Sequence, residues 1–545
     1  MDYRTVLLNY FHQRDRGLIL LLLAAVCMVY LPFLGSPFVF DDLNFFKSGG
    51  PERYAYSLFN FDLRWLPYAS LGWTHAIFSD VDTYFYHIGN MLLHFSNVIL
   101  LFYLLRQLVL AVIPEQEKSS VLISGAWLGA LVFACHPVAV YAVGYVIERS
   151  ILMATLFALV MQLAYVKGML SGQSRWLLLA VVAYFLAGFS KEHSVMMPAI
   201  LAAQTILLRG KNQSEWRALG LTWFAFISIG LLLVLSSRGV IGTAYEPMAA
   251  IIFNQQGALA STPMLHLLSA LTQAGLFFKY LLLWLLPNPA WMSVDMREHF
   301  ITSLSEWQGW VGGLAFMAYG VTAFRLLLRP RWLGLLGLAL LYPWLQFMVE
   351  LVSIRVQEPF VLYRSYLWLP GLMLFFPWLL IKFPKRRAML GLLIAVLLIP
   401  LAWNRLWIFA DDFRLWNEAV LKLPSEQVVG ADRDFYNRGE ALAVRGKWTE
   451  AATDFERATA LSPKFPQIHK ELAVAYANQE RYRDAVTQLD EAIRLEPRFA
   501  AAYYYKGLAL KRLHENDLAM QQMEKSCELK YMMACLIVKF APPKK

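Results

Sequence analysis

The sequence has few charged residues for its length. Only 16% of its 545 residues are Asp, Glu, Lys or Arg, whereas 58% are hydrophobic and 15% are aromatic. This composition argues against an ordinary soluble protein and is typical of a polytopic membrane protein. The net charge of +10 arises mainly in short loops between apolar runs, where it reports membrane topology. We therefore expect membrane lipids around the protein and no nucleic-acid partner.

Common signatures of catalysis and metal binding are also missing. The chain has no P-loop, no Ser-His-Asp signature and no Cys/His spacing for zinc. Of its four cysteines, Cys27 and Cys135 lie in apolar runs, where we predict packing roles. Cys527 and Cys535 could form a disulfide if their region lies outside the cytoplasm, but spacing alone does not decide their pairing.

Long apolar runs account for most of the first 409 residues. The first run follows Arg14 and Arg16 and has no small-residue cleavage site, so we expect a membrane span and not a signal peptide. Twelve runs have about the length needed to span a membrane, at 18–34, 84–112, 121–141, 147–168, 176–190, 194–209, 216–236, 264–287, 306–328, 332–352, 361–381 and 388–409.

Clusters of Lys and Arg predict which ends of these runs face the cytoplasm. They place both ends of run 264–287 outside, so this run is re-entrant or a weaker crossing lies within residues 248–260. We therefore predict 11 or 13 spans in a multi-pass protein of the cell inner membrane. Everything after residue 409 is expected on the periplasmic, outer side.

The C-terminal part repeats a soluble helical pattern every 34 residues. Small residues recur as Gly439, Ala473 and Gly507. The second half of each repeat also recurs, with Ala451, Phe455, Ala458 and Pro463 matched by Ala485, Leu489, Ala492 and Pro497. This is the tetratricopeptide signature, whose repeats stack into grooved solenoids that bind partners.

These patterns predict an all-α protein with two parts. A polytopic membrane helical bundle occupies residues 1–409, and any catalysis belongs to it. The remainder divides into a connecting helix at 410–431, repeats at 432–465, 466–499 and 500–533, and a tail at 534–545.

Ionisable residues gather at the predicted outer ends of the spans. Because ionisable groups are energetically costly in a membrane protein, such clusters suggest a functional site. Asp41 and Asp42 follow the first span directly. His87, Asn90 and His94 share one helix face, where they are either site residues or residues that form hydrogen bonds between helices. The same ends carry His136, Glu148, Arg149, Lys191, Glu192, His193, Glu358 and Arg364. We predict a polar cavity between helices, although Glu148 and Arg149 could instead form a local ion pair.

The order of these segments resembles a known family. The segments are Phe38-Val39-Phe40-Asp41-Asp42, Arg64-Trp65-Leu66-Pro67, His87-x-x-Asn90-x-x-x-His94, His136-Pro137 and Ser190-Lys191-Glu192. With repeats after the last span, the chain resembles the transmembrane-and-tetratricopeptide O-mannosyltransferases of animals and their bacterial relatives. The resemblance implies the GT-C fold and a polyprenyl-phosphate-linked sugar donor used at the non-cytoplasmic face. Glu148 stands where the relatives have Gly, which leaves the identity of the sugar open.

The resemblance also implies roles for the polar residues. Asp41 or Asp42 is expected to remove the proton of the acceptor hydroxyl. The donor phosphate is expected to meet Arg364, Lys191, Arg64 or a bound divalent cation. We expect His87, Asn90, His94, His136, Glu148, Arg149, Glu192, His193 and Glu358 to line the cavity. The repeats would hold a protein acceptor.

Other functions fit parts of the same sequence. A polysaccharide polymerase or ligase would use the same lipid-linked donor. A membrane scaffold without activity would use the repeats to assemble a protein complex. A transporter or flippase of lipid-linked sugars ranks below both, because we find no paired internal repeats among the spans.

Overall fold

The structure is a computed structural model, and it describes residues 14–78, 82–113, 121–237, 262–356, 358–382, 387–426 and 428–540. Within these ranges the chain is helical and contains no β-strand. It divides into two compact units. The body consists of Met1–Met292 and His299–Asp411, and the arm consists of Ser293–Glu298 and Asp412–Lys545.

The body contains sixteen described α-helices. In chain order they are α1 Arg14–Tyr30, α2 Asp41–Lys47, α3 Gly50–Ala55, α4 Trp65–Phe78, α5 Thr83–Val112, α6 Val121–Cys135, α7 Val140–Val143, α8 Arg149–Ser171, α9 Ser174–Ser190, α10 Met197–Leu207, α11 Trp216–Ser236, α12 Thr262–Leu285, α13 Trp307–Leu327, α14 Arg331–Val352, α15 Phe375–Lys382 and α16 Arg387–Phe409.

Eight helices of the described chain are long and apolar enough to cross a membrane, or nine if one bent pair counts as a single span. This is fewer than the 11 or 13 predicted spans. Eight of the twelve predicted runs correspond to these helices, and run 121–141 is the bent pair. Runs 176–190, 194–209 and 361–381 give only shorter helices, because 3-10 turns interrupt them or limit their length. Run 264–287 forms the single helix α12, and the alternative crossing at 248–260 lies outside the described residues.

The interruptions place polar residues between helices. The bent pair turns by 50° after His136, where Pro137 opens a 3-10 turn and ends the α-helical hydrogen bonding. A second 3-10 turn, Glu192–Met196, separates α9 from α10. Two more, Leu362–Tyr366 and Leu369–Leu374, precede α15. Three of the predicted site segments therefore lie at breaks.

The arm confirms the predicted tetratricopeptide pattern. After the connecting helix α17 Asp412–Leu421 come seven helices, α18 Ala431–Val444, α19 Trp448–Leu461, α20 Pro466–Asn478, α21 Tyr482–Leu495, α22 Ala500–Arg512, α23 Asn516–Glu528 and α24 Met532–Lys539. The small residues have a packing reason. A Cβ on Gly439 would lie 2.7 Å from the Phe455 ring, and one on Gly507 would lie 2.9 Å from the Met523 side chain.

The arm also contains a segment that the sequence did not assign to it. Ser293–Glu298 comes from the chain between α12 and α13, inside the predicted membrane domain. Within it, Arg297 donates from Nε to Asp434 Oδ2 at 3.3 Å, and Asp295 accepts from Arg433 Nε at 2.8 Å. These side chains are buried or nearly so, so the first repeat depends on a segment distant in sequence.

The structure decides the state of the four cysteines. Cys527 and Cys535 form a disulfide between the end of α23 and the middle of α24, which selects one of the two alternatives left open by spacing. Cys135 is buried and Cys27 is half-buried, and both are free thiols.

Candidate functional site

A chain of alternating charges runs through the body. Arg64 donates from Nε to Glu192 Oε2 at 3.0 Å and makes a second bond to Oε1. Glu192 Oε1 lies 3.5 Å from His193 Nδ1. The other ring nitrogen of His193 lies 3.0 Å from Glu350 Oε1. Glu350 Oε2 in turn accepts from Arg364 Nη1 at 3.2 Å. Three parts of the chain that are far apart in sequence, around Arg64, around Glu192 and from Glu350 to Arg364, therefore meet in one network.

Two further groups extend this network. The Arg355 Nε atom lies 3.3 Å from Glu350 Oε2, so two guanidinium groups share one buried carboxylate. Arg364 also reaches Glu358, whose carboxylate lies 3.5 Å from Nη2 and is 24% exposed. Charges buried in this way require partners, because an unpaired ion in a low-dielectric interior costs several kcal/mol.

Lys191 makes a second buried ion pair. Its Nζ atom donates to Glu148 Oε2 at 3.1 Å and to Ser150 Oγ at 3.3 Å. Both ends are almost fully buried, with side-chain exposures of 2% and 7%. The 3-10 turn Val146–Glu148 presents the carboxylate, and the end of α9 presents the lysine.

Backbone geometry positions Arg64 beside this cluster. Its φ of +63° lies in the left-handed region, which is uncommon for residues other than glycine. Its N–H donates to the Phe189 carbonyl at 2.9 Å, close to Lys191 and Glu192 in the chain. The left-handed turn thus tethers the Arg64 segment to the end of α9.

The two predicted acids occupy different environments at the start of α2. Asp42 is buried and accepts from the backbone N–H of Ile147 at 2.7 Å, of Val39 at 3.3 Å and of Val146 at 3.4 Å. Asp41 is exposed, and its backbone N–H donates to the Tyr145 hydroxyl at 3.0 Å. Asp42 therefore ties α2 to the Val146–Glu148 turn, whereas Asp41 presents its carboxylate at the surface of the body.

Burial and the groups that contact the carboxyl act in opposite directions on the pKa of two acids outside the long apolar helices. Burial raises the pKa of Asp42 to about 8, against the lowering effect of its three backbone N–H partners. Burial would also raise the pKa of Glu192, but Arg64 and His193 hold that pKa well below its usual range. Glu192 is therefore ionised across the physiological range, because cations surround it.

Two tyrosines connect the acids to the cations. The Tyr145 ring lies 6.3 Å from the Tyr363 ring, measured between centroids. The Lys191 ammonium lies 5.2 Å from the Tyr363 centroid, a cation–π distance. The Tyr145 hydroxyl also accepts a hydrogen bond from the Asp41 N–H, so the two tyrosines connect Asp41 to Lys191. Arg364 follows Tyr363 directly in the chain.

Five other predicted site residues make packing hydrogen bonds. His87 Nε2 lies 3.0 Å from the Ser36 carbonyl, and His94 lies 2.6 Å from the Tyr366 hydroxyl. Asn90 donates to the carbonyls of Val143, Tyr145 and Val146. His136 Nε2 lies 3.1 Å from the Trp284 carbonyl, and its ring stacks on the Trp284 ring. The structure thus places these residues at contacts between helices and turns.

Arg149 is the fifth of these residues. Its guanidinium donates to Asn90 Oδ1, to the carbonyls of Ser70 and Tyr86, and to Thr74 Oγ1. A Cβ at Gly89 would lie 2.6 Å from Arg149 Nη2, so α5 has a glycine where this guanidinium passes. Among the described residues, Glu148 pairs with Lys191 and Arg149 with uncharged acceptors, which differs from the local Glu148–Arg149 pair considered from the sequence.

The sequence analysis missed Glu350, Tyr145 and Tyr363. Glu350 is the central acid of the network, and its signal was an acidic residue near the end of an otherwise apolar run. No sequence feature marked the two tyrosines as site residues, because tyrosine is common in apolar helices and at their ends.

An apolar cavity lies beside the network. Its volume is about 780 Å³, and its walls come from α6, α12, α13, α14, α15 and α16 together with the Leu369–Leu374 turn. His136 and Trp284 form part of the lining. Trp284 donates from its indole N–H to Ser365 Oγ at 3.0 Å, directly after Arg364 in the chain. This cavity is lined mainly by apolar side chains, while the charged groups of the network pair with one another; the polar cavity stays a prediction of the sequence.

Metal binding has no obvious site in the parts of the chain that the structure describes. No group of three or more His, Cys, Asp or Glu residues there is arranged to hold a metal ion. The bound divalent cation stays a prediction of the sequence.

Two protein families match the arm. The family described as TPR repeat matches residues 439–480, and the family described as Tetratricopeptide repeat matches residues 470–529. Both matches fall within the helices α18 to α23 or at their junctions.

Solved structures similar to this chain include two TPR domains and MamA. One is the first TPR of Spaghetti (RPAP3) bound to an HSP90 peptide, with 21% identity over 20% of this chain and 87% of that chain, at a TM-score of 0.19. The Sgt2 TPR domain from Aspergillus fumigatus has 18% identity over 22% of this chain and 91% of its own, at 0.20. MamA has 19% identity over 29% and 85%, also at 0.20. The C-terminal part of the chain is a run of tetratricopeptide repeats, as the family matches show, and such repeats support a protein partner.

Proposed function

We propose that the protein is a GT-C-type membrane glycosyltransferase. It transfers a sugar from a polyprenyl-phosphate-linked donor to an acceptor hydroxyl, on a protein, at the outer face of the cell inner membrane. The observation that carries this proposal is that ion pairs within the body hold three cations, Arg64 and Arg364 in one network and Lys191 in a second pair. Tyr363 and Tyr145 connect that second pair to Asp41. A lipid phosphate leaving group needs such fixed cations, and a guanidinium matches phosphate geometry.

The donor phosphate would bind at Arg364. One side of this guanidinium is held by buried Glu350 at 3.2 Å, whereas the other faces Glu358 at 3.5 Å. Because Glu358 is partly exposed, a phosphate replaces it more easily than it replaces Glu350. Glu350 then keeps the fork of Arg364 oriented while the phosphate is bound.

Asp41 would act as the base. Its carboxylate takes the proton of the acceptor hydroxyl as the hydroxyl oxygen attacks the anomeric carbon of the sugar. The bond from that carbon to the phosphate oxygen breaks, and its electron pair stays on the lipid phosphate. Exposure favours Asp41 over Asp42 for this role, because the acceptor must reach the base.

The apolar cavity supports a lipid-linked donor. Its carbon-lined walls suit isoprenoid units, and Trp284 connects its lining to Ser365 beside the proposed phosphate ligand. A phosphate at Arg364 would thus have an apolar volume nearby for its lipid chain.

The arm would supply the acceptor. Tetratricopeptide repeats bind proteins, and tethering an acceptor near the body raises its effective concentration without new chemistry. The Cys527–Cys535 disulfide supports the outer side for the arm, because such bonds persist mainly outside the cytoplasm.

A non-catalytic scaffold is the second proposal, and the family matches favour it because they fall on the arm. The two proposals differ in one test. Purified protein in lipid vesicles is given a labelled polyprenyl-phosphate sugar and outer-face proteins, and transfer is measured for Asp41→Asn and for Asp62→Asn. Asp62 is the control, since it is an exposed acid of the same segment.

We expect Asp41→Asn to lower the transfer rate by roughly 100-fold to 10,000-fold, the usual contribution of a general base. Asp62→Asn should stay near wild type. Full activity in Asp41→Asn, Asp42→Asn and the double variant would remove the catalytic role of both acids. No transfer by wild type to any protein, with transfer to a polysaccharide, would instead identify a polymerase or ligase.

A further inference from the structure

The last helix of the arm exposes an apolar face. Met532 and Phe540 are 75% and 77% exposed, and Met533 and Leu536 are about half exposed. At 100° per residue these positions fall on one arc of α24, while Ala534 on the opposite side is buried against the preceding repeat.

The charged residues within and after this helix are all lysines. The exposed Lys539 lies at the edge of the apolar arc, next to Met532, and the exposed Lys530 lies just before the helix. From Leu529 to Lys545 the sequence contains four lysines, at 530, 539, 544 and 545, and no acidic residue. An apolar helix face edged by lysines is the pattern of helices that lie in the interface of an anionic membrane.

A disulfide fixes the helix in place. Cys535 in α24 is bonded to Cys527 at the end of α23. An isolated helix of eight residues is unstable in water. The disulfide and the buried Ala534 therefore hold α24 in place, with its apolar arc exposed. We propose that α24 is an interfacial anchor that seats the end of the arm on an anionic lipid surface.

A second copy of the chain fits this face less well. A symmetric dimer through α24 would bring the lysines at the edge of the arc from both copies into one interface, where like charges oppose association. An anionic bilayer instead accepts Lys539 among its headgroups and the methionines, Leu536 and Phe540 among its acyl chains. Weak lipid affinity is sufficient, because a body in the same membrane holds the arm at high effective concentration.

This inference rests on the membrane placement of the body and is independent of sugar transfer. Full-length protein is reconstituted in nanodiscs of phosphatidylcholine alone or with phosphatidylglycerol. Oxidation of Met532 and Met533 by hydrogen peroxide is followed by peptide mass spectrometry. The half-buried Met520 on α23 serves as the internal reference.

We expect Met532 and Met533 to oxidise several-fold more slowly in the anionic discs, relative to Met520, and high salt to remove this protection. Each lysine near an anionic surface changes the bound population by on the order of fivefold. The double variant Lys530→Gln/Lys539→Gln should therefore lose the protection, whereas the charge-matched control Lys511→Gln/Arg512→Gln on α22 should keep it.

Equal oxidation in the two lipids overturns the proposal. Protection that rises with the number of protein copies per disc, whatever the lipid, also overturns it and indicates a second copy. A failure of sugar transfer in the Asp41 test leaves the oxidation result unchanged, so the two proposals fail separately.

Discussion

Glu350 and His193 meet at 3.0 Å between Oε1 and Nε2, although they belong to segments far apart in the chain. This contact joins the Arg64–Glu192 pair to the guanidinium groups of Arg355 and Arg364. The buried Glu350 carboxylate therefore pairs with Arg355 and Arg364 and also contacts His193.

Removing that carboxylate should destabilise the body. Glu350→Ala leaves Arg355 and Arg364 buried without their shared partner, which we expect to cost about 3–5 kcal/mol. Glu350→Gln keeps the packing and should cost less. Thermal unfolding of the detergent-solubilised protein measures both. Glu215→Gln, at an exposed acid before α11, is the control and should shift stability by less than about 0.5 kcal/mol. Equal stability of Glu350→Ala and wild type would contradict the network.

Arg364 should be sensitive to the shape of its head group as well as to its charge. Arg364→Lys keeps a cation beside Glu350 but loses the fork that binds phosphate at two points. We expect both Arg364→Lys and Arg364→Ala to use the donor less well than wild type. The loss should be larger for Arg364→Ala, which should also be less stable. Titration of the lipid-linked donor with thermal unfolding in parallel separates the two effects. Wild-type donor affinity in both variants would mean that the arginine is structural.

Two glycines of the arm provide a matched test of packing. Gly430 has φ +87°, and a Cβ there would overlap the Arg297 guanidinium, whereas Gly446 has φ +72° with nothing within 4 Å of such a Cβ. Gly446→Ala should cost only the backbone penalty of about 1–2 kcal/mol. Gly430→Ala should cost about 1–3 kcal/mol more, because it displaces Arg297 from Asp434.

Hydrogen exchange of the α18 and α19 amides measures these changes in the full-length protein. Equal costs for the two substitutions would show that the Ser293–Glu298 segment does not support the first repeat.

Stability should depend on pH through Asp42. Burial raises the pKa of Asp42 to about 8 from an ordinary value of 3.8, so the folded state holds a proton that the unfolded chain releases. The stabilisation of the folded state by this proton on Asp42 is fully present below about pH 4 and is lost as the pH rises through 8. Wild type should therefore lose stability over this window relative to Asp42→Asn. The unfolding temperatures of both proteins, measured from pH 4 to pH 9, check the sign. A constant difference would show that Asp42 does not titrate in this range.

The sequence by itself determined the features that depend on local pattern. The spacing of Gly439, Ala451, Phe455 and Ala458 predicted the repeat, because each helix pair must bury the same positions against its neighbour. The length of the apolar runs predicted twelve spanning segments, and eight of them correspond to long apolar helices; breaks in the other runs depend on local turns that run length does not reveal.

Only the tertiary structure decided which polar residues share a site. His87, Arg149 and Lys191 look alike in sequence, as polar groups near the ends of apolar runs. Folding placed His87 and Arg149 against backbone carbonyls, and it placed Lys191 against Glu148. Long-range pairing of this kind has no period in the sequence. For the same reason the central role of Glu350, and the contribution of Ser293–Glu298 to the arm, became visible only when distant segments packed together.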